Sequence, residues 1–207
     1  MVIAAAALGW APTGKAVSRA GAQVGDLVFV TGVIGDGLLG LKAAQGQLAL
    51  APERIEALVN HYRMPTPRTD FADIVREFAT ASVDVSDGLA ADLAHIAEAS
   101  KVGVALNLNV LPLSAAAQAW FDDRVDPQLS LEDLASGGDD YEIAFTADPR
   151  DEELLRREAE RELSAARLEE SQVRAALVVA RDRVNTAEAR VTRVTQDIAD
   201  LGTRPVR

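Results

Sequence analysis

The sequence predicts a mixed α/β (α+β) fold followed by one long helix, and three observations carry that reading. Up to residue 148, short β-branched runs alternate with stretches of helical apolar spacing, as in a domain whose helices cover a sheet. Apolar residues make up 48% of the chain, enough for a substantial core. From Asp151 glycine and proline disappear until Gly202, and the apolar positions settle into a 3-4 repeat. Two parts result: a domain over 1–148 and a coiled-coil-like helical tail over 149–207.

The elements follow in order. The apolar run Val2 to Leu8 is too short to cross a membrane and has no basic residue before it, so a buried strand is expected there. Gly14 to Gly25 is a polar connection carrying Lys15 and Arg19. Asp26 to Thr31 reads as a strand, and Gly32 to Gly37 as a glycine-rich turn opening a helix through Leu38, Leu41 and Ala44. Such a turn can cradle phosphate, but it lacks the Lys-Ser/Thr ending of a P-loop and equally suits close packing. Pro52 opens a helix with Ile55, Leu58, Val59 and Tyr62 on one face and His61 beside the stripe. Pro65 and Pro67 stop it, and Asp70 to Thr80 reads as a further helix with Phe71, Ile74, Val75 and Phe78 inward. A strand ending at Val85 and a helix carrying Leu89, Leu93 and Ile96 come next, with His95 on the solvent side. Gly103 to Leu108 reads as a strand, Pro112 as the start of a short helix ending near Trp120, and Ser130 to Ala135 as another. The loop from Ser136 to Glu142 leads into a strand from Ile143 to Thr146.

Composition narrows the chemistry. There is no cysteine, which excludes a disulfide scaffold, thiolate catalysis and zinc–thiolate sites. His61 and His95 are too few for a histidine-based centre, so any metal must sit on carboxylates, which selects hard cations. The net charge is −11; residues 1–150 hold 20 acidic against 10 basic side chains, which argues against nucleic-acid binding. That balance is compatible with a nucleotide carried in by Mg²⁺. No later run approaches the roughly 18 apolar residues of a spanning helix, so no membrane partner and a cytoplasmic location are expected.

The chemistry concentrates on Ala81 to Leu93. Ala81, Val83 and Val85 alternate with polar residues, which places Asp84 and Ser86 on the other face of the strand. Asp87-Gly88 then makes the turn into the helix. Free backbone N–H groups and the helix dipole favour phosphate at such a junction. Two carboxylates would repel a polyphosphate unless a cation, Mg²⁺ above all, bridged them. The same residues also suit a plain Asp helix cap. In Ser136 to Glu142, paired glycines allow close backbone approach to a ligand, and three acids around Tyr141 suit a cation or an amine, or else a tight turn with solvated charges.

Taken together, Arg19-Ala20-Gly21-Ala22, Gly25-Asp26, Val30-Thr31-Gly32, Gly35-Asp36, Pro65-Thr66-Pro67-Arg68, Asp84 to Leu89 and Ser136 to Glu142 form an ordered set. The set resembles the thiamine-monophosphate kinase family, within the aminoimidazole-ribonucleotide-synthetase-like superfamily, over roughly residues 3–148. The resemblance implies the second-domain fold of that superfamily. It also implies ATP- and Mg²⁺-dependent phosphoryl transfer to thiamine monophosphate, giving thiamine diphosphate with no covalent enzyme intermediate. Carried over by position, it implies Asp84 and Asp87 as metal ligands, Arg19 and Ser86 as ATP contacts, and Asp139 as the substrate contact where the family usually has Glu. The family's first domain, which supplies most of the metal ligands, would precede Met1, so little turnover is expected from this chain alone. The heptad spacing from Leu177 to Leu201 predicts self-association, or pairing with another helix, through residues 159–201. A second expectation of a different kind is therefore a degenerate kinase-like domain that serves assembly through its coiled coil.

Overall fold

The computed structural model describes residues 6, 8–124, 126–161 and 164. The chain divides into two compact units, Met1–Glu158 and Ala159–Arg207, and the elements below belong to the first. Helical backbone runs over 152–161, but the heptad seam falls outside the described residues. No helix among the described residues is long and apolar enough to cross a membrane.

Three strands, β1 (Leu27–Val30), β2 (Ala79–Val85) and β3 (Glu142–Ala147), form an antiparallel sheet in the order β1-β3-β2. The register sets Phe29 opposite Phe145, where the rings stack at 5.4 Å, and Val85 opposite Glu142. Around the sheet lie α1 (Asp36–Ala44), α2 (Pro52–Arg63), α3 (Ala72–Phe78), α4 (Leu89–Ser100), α5 (Ala115–Asp122) and α6 (Pro127–Ser136). The alternation read in β2 is the observed one: Ala81, Val83 and Val85 are buried, and Asp84 is exposed. The buried face meets Leu89, Leu93 and Ile96 of α4, together with Ile34 and Ala144, in one core cluster. A second cluster joins Leu39 and Ala43 of α1 to Leu58 of α2, Trp120 of α5 and Leu134 of α6. Pro52 opens α2 as expected, and Ser114 caps α5 by accepting the Ala117 N–H at 3.0 Å. His95 is exposed, and His61 is half-buried on α2.

Four expectations need correction. The helix expected over Asp70 to Thr80 is a 3₁₀ turn at Thr69–Phe71 followed by α3, and Ala79 and Thr80 already belong to β2. The Thr80 hydroxyl lies 2.7 Å from that of Thr146 and donates to Asp26 at 2.6 Å, so tertiary contacts with β3 override helical continuation. Gly103 to Leu108 is not a strand. Val102 and Val104 satisfy their apolar alternation by packing on the first core, with no ladder partner for the backbone, and the segment borders a cleft of about 310 Å³ beside β1. Ala6 and Leu8 of the N-terminal apolar run are not in a strand, and Leu8 is fully exposed, since no described strand edge takes it up; the rest of the run lies outside the described residues. The two short helices begin at Ala115 and Pro127 rather than at Pro112 and Ser130.

Leu93 is 1% exposed and joins α4 to the sheet. Leu93→Ala should lower unfolding free energy by about 2–5 kcal/mol. Val24→Ala, at a position 93% exposed, should stay within about 0.5 kcal/mol. Equal urea midpoints for the two variants would contradict this core assignment.

Candidate functional site

Three segments meet at one end of the sheet: the Gly32–Gly35 turn with the start of α1, the Ser86–Gly88 turn before α4, and the 137–141 loop before β3. The Tyr141 N–H donates to the Val85 carbonyl at 2.8 Å, and the Asp139 N–H donates to the Ser86 carbonyl at 2.9 Å. These bonds carry the β2–β3 pairing into the loops. Two glycines permit the convergence. Gly88 adopts φ 119°, and a Cβ there would lie 2.6 Å from the Ser136 carbonyl oxygen. A Cβ on Gly37 would lie 2.4 Å from the Asp139 carbonyl carbon. Asp139 and Tyr141 both hold positive φ, 69° and 52°, a conformation that costs a non-glycine residue roughly 1–2 kcal/mol. The residue between them supplies the restraint.

That residue is Asp140, 1% exposed. Its Oδ1 accepts the Gly35 and Gly37 N–H groups at 3.0 and 2.8 Å, and its Oδ2 accepts Gly35 N–H at 2.9 Å. Burial raises its pKa to about 6, although the two amides and the nearby His61 ring pull the other way and Asp36 adds to the rise. Asp36 itself is shifted upward, chiefly by burial, against the Ser114 hydroxyl that donates to it at 2.7 Å. His61 Nε2 is buried beside this pair with no hydrogen-bond partner. Glu142, also 1% exposed, takes Arg68 bidentately, with Nε at 2.6 Å and Nη2 at 2.5 Å. The Thr31 hydroxyl donates to Glu142 at 2.7 Å and accepts the Ile143 N–H at 3.0 Å. Two of the three loop acids are therefore buried and hold the architecture rather than standing solvated around Tyr141. Asp139 stays half-exposed and accepts the Tyr141 hydroxyl at 3.1 Å.

Ser86, Asp87 and Asp139 are brought to this junction. Ser86 Oγ and the Asp87 carboxylate have no hydrogen-bond or ion-pair partner among the described residues. Asp84, one strand pitch away and exposed, lies 3.8 Å from Arg19 Nη2, and both border a shallow groove of about 610 Å³ with Lys15 and Arg76. One expectation fails here. The backbone N–H groups of the strand-to-helix turn are not free for phosphate, because Asp92 Oδ2 accepts those of Ser86, Asp87 and Gly88 at 2.9, 3.0 and 3.2 Å. The glycine turn before α1 is filled likewise, by Asp140.

Among the described residues no group of three or more acidic or histidine side chains gathers as a metal cage. Two carboxylates and a hydroxyl still match Mg²⁺, which keeps several waters and commonly takes one or two carboxylates plus the phosphates of its substrate. Arg68, Asp140 and Glu142 stand in the motifs read from the sequence and Asp92 in the stretch from Ala81 to Leu93, but their structural roles do not emerge from it. For Asp92 the available signal is an acid in the first turn of a glycine-preceded helix, which can take the orphan amides there; Asp140, Glu142 and Arg68 act across long sequence separations that no local spacing marks.

The family described as AIR synthase related protein, C-terminal domain, matches residues 23–203. A thiamine-monophosphate kinase of Caulobacter vibrioides is 47% identical over 151 residues, covering 73% of this chain and 42% of its own length. Among solved structures, thiamine-monophosphate kinase from Stenotrophomonas maltophilia K279a superposes with a TM-score of 0.63 at 37% identity, over 72% of this chain and 47% of that one. AaThiL complexed with AMPPCP and TMP superposes with a TM-score of 0.58 at 34% identity, over 65% of this chain and 43% of that one. The chain thus spans less than half the length of these relatives. The mixed helix-and-sheet fold and the family resemblance read from the sequence agree with these findings; the heptad helix lies outside the described residues.

A pH test follows from Asp140. Its folded pKa, about 6, exceeds the unfolded value, so the folded state binds the proton more tightly. Its contribution is full below the ordinary carboxylate pKa and is lost as pH rises through about 6. From about pH 4 to pH 7, wild type should lose on the order of 2 kcal/mol relative to Asp140→Asn, whose side chain does not ionise. Urea unfolding across that range checks it; parallel stability curves would refute the burial effect.

Proposed function

The chain belongs to the AIR synthase related protein, C-terminal domain family, and on that premise we propose that it works as part of a thiamine-monophosphate kinase. The reaction is transfer of the γ-phosphoryl group of ATP to thiamine monophosphate. An oxygen of the acceptor phosphate attacks the γ-phosphorus, the bond to the β-phosphate bridging oxygen breaks, and ADP and thiamine diphosphate leave. The observation that carries the reading is the 2.9 Å backbone bond from Asp139 to Ser86, which joins the nucleotide motif to the substrate motif. Its support from relatives is sequence identity of up to 47%, and a related structure whose ligands, AMPPCP and TMP, correspond to an ATP analogue and the acceptor.

Asp84 and Asp87 are the residues that would hold Mg²⁺, which supplies charge neutralisation for the phosphates when bound. Ser86 offers a hydroxyl to the nucleotide, and Arg19, exposed beside Asp84, offers its guanidinium to a phosphate. Asp139, with its carboxylate oriented by Tyr141, faces the cationic thiamine portion. Nothing in this set needs to remove a proton, because the attacking phosphate oxygen is already anionic; positioning and charge carry such a transfer. A cytoplasmic location belongs to the same reading. Asp87→Asn should weaken Mg²⁺-dependent ATP binding by about ten-fold or more, the scale of a lost charged contact. Calorimetry showing unchanged affinity in that variant, or equal wild-type affinity in EDTA, would reject the metal assignment.

The heptad spacing from Leu177 to Leu201 supports association of the chain with itself or with another helix as an additional role. Ala180 and Ala187 weaken the seam, so the association should depend on concentration. Light scattering should give more protomers per particle for the full chain than for one ending at Asp148; equal protomer numbers would exclude the role.

A further inference from the structure

We propose that Asp92 is a positioning residue for the metal and nucleotide site, an internal anion that stands where a phosphate would otherwise sit. Asp92 is 3% exposed on the first turn of α4, and its Oδ2 alone receives the N–H groups of Ser86, Asp87 and Gly88. Three converging amides at a helix start make an anion nest. Here the nest is filled from within, by a carboxylate four residues beyond Gly88 on the same chain.

Two consequences follow for the residues around it. The amides of Ser86 and Asp87 are bound to Asp92, while Asp87 is exposed and Ser86 half-exposed, and neither Ser86 Oγ nor the Asp87 carboxylate has a hydrogen-bond or ion-pair partner among the described residues. The turn is held from the other side as well, because the Ser86 carbonyl accepts the Asp139 N–H at 2.9 Å. Asp87 is exposed and Asp139 half-exposed at this turn, with Asp84 exposed on the adjoining strand, so their charge favours a cation while the nest amides are already taken by Asp92. At this turn, polyphosphate is then held through a bridging divalent cation, with the Arg19 guanidinium beside Asp84 as a cationic contact. The inference rests on the kinase reading for its nucleotide, but not for its amide geometry.

The test uses the full chain as wild type, Asp92→Asn and Asp92→Ala, with three readouts. In Asp92→Ala the freed amides should take phosphate directly. ATP affinity in Mg²⁺ should therefore fall by about ten-fold or more, while binding of ATP or inorganic phosphate in EDTA rises above that of wild type. Formate, a free carboxylate small enough to refill the nest, should restore the Mg²⁺ dependence in Asp92→Ala. Asp92→Asn, which keeps one acceptor oxygen, should fall between the two. Amide hydrogen exchange at Ser86, Asp87 and Gly88 should accelerate by about ten-fold or more in Asp92→Ala and slow again with formate, since opening then costs one charged contact less. A chain that binds no Mg²⁺–ATP in its wild-type form sinks the kinase reading, and the exchange arm still decides the role of Asp92. Unchanged exchange and unchanged Mg²⁺ dependence in Asp92→Ala overturn the proposal. So does a loss of affinity that formate leaves untouched and that simply tracks a lower melting temperature.

Discussion

The acidic end of this domain depends on one constraint: backbone amides at glycine turns must be answered after burial, and the chain answers them with its own carboxylates. Asp140 does this for Gly35 and Gly37, and Asp92 for the turn before α4. A buried donor left unpaired costs about 1–3 kcal/mol, and a charged acceptor returns more than a neutral one. Each carboxylate serves more than one amide, so its desolvation is spread over several bonds. Remove Asp140, and Asp139 and Tyr141 lose the anchor between them that keeps both in left-handed conformations.

Glu142 and Arg68 solve a different problem at the same end. The pair is buried and bidentate, and the Thr31 hydroxyl adds a third donor at Glu142 Oε2. Such a pair adds little net stability over an apolar replacement, yet breaking it by removing one partner costs roughly 3–5 kcal/mol. Its value lies in placement: Arg68 ends the proline-rich connection after α2, and Glu142 opens β3, so the pair pins a loop to the first residue of the central strand.

The periodic parts of the chain were legible in the sequence. The alternation in β2, the stripe of Leu89, Leu93 and Ile96, and Pro52 at a helix start each follow from one local rule and appear as expected. The misreadings arose where distant partners decide. Thr80 leaves its helix because Thr146 and Asp26 draw its hydroxyl, and Gly103 to Leu108 has strand-like alternation but packs across a cleft from the edge strand β1 without pairing to it. For the site, the polar residues were found but their division of labour was not. Seven acids crowd the motifs, and only burial separates Asp36, Asp92, Asp140 and Glu142, which are inside, from Asp84, Asp87 and Asp139, which face outward or lie half-exposed. Solvent exposure is a property of the packed domain, and no spacing rule in a single sequence encodes it.

The place of β3 in the sheet bears on how the domain is made. β3 is the central strand and the last of the three to be synthesised, and it joins Leu27–Val30 to Ala144–Ala147 across most of the domain. On the ribosome, β1 and β2 therefore emerge with no mate, and the sheet cannot close until residues beyond 140 have left the exit tunnel. Loop-closure entropy on that scale makes for slow folding, and uncovered strand edges invite contact with neighbouring nascent chains. The helical pair α1–α2 is local in sequence and can form early, giving the waiting chain a compact first foothold.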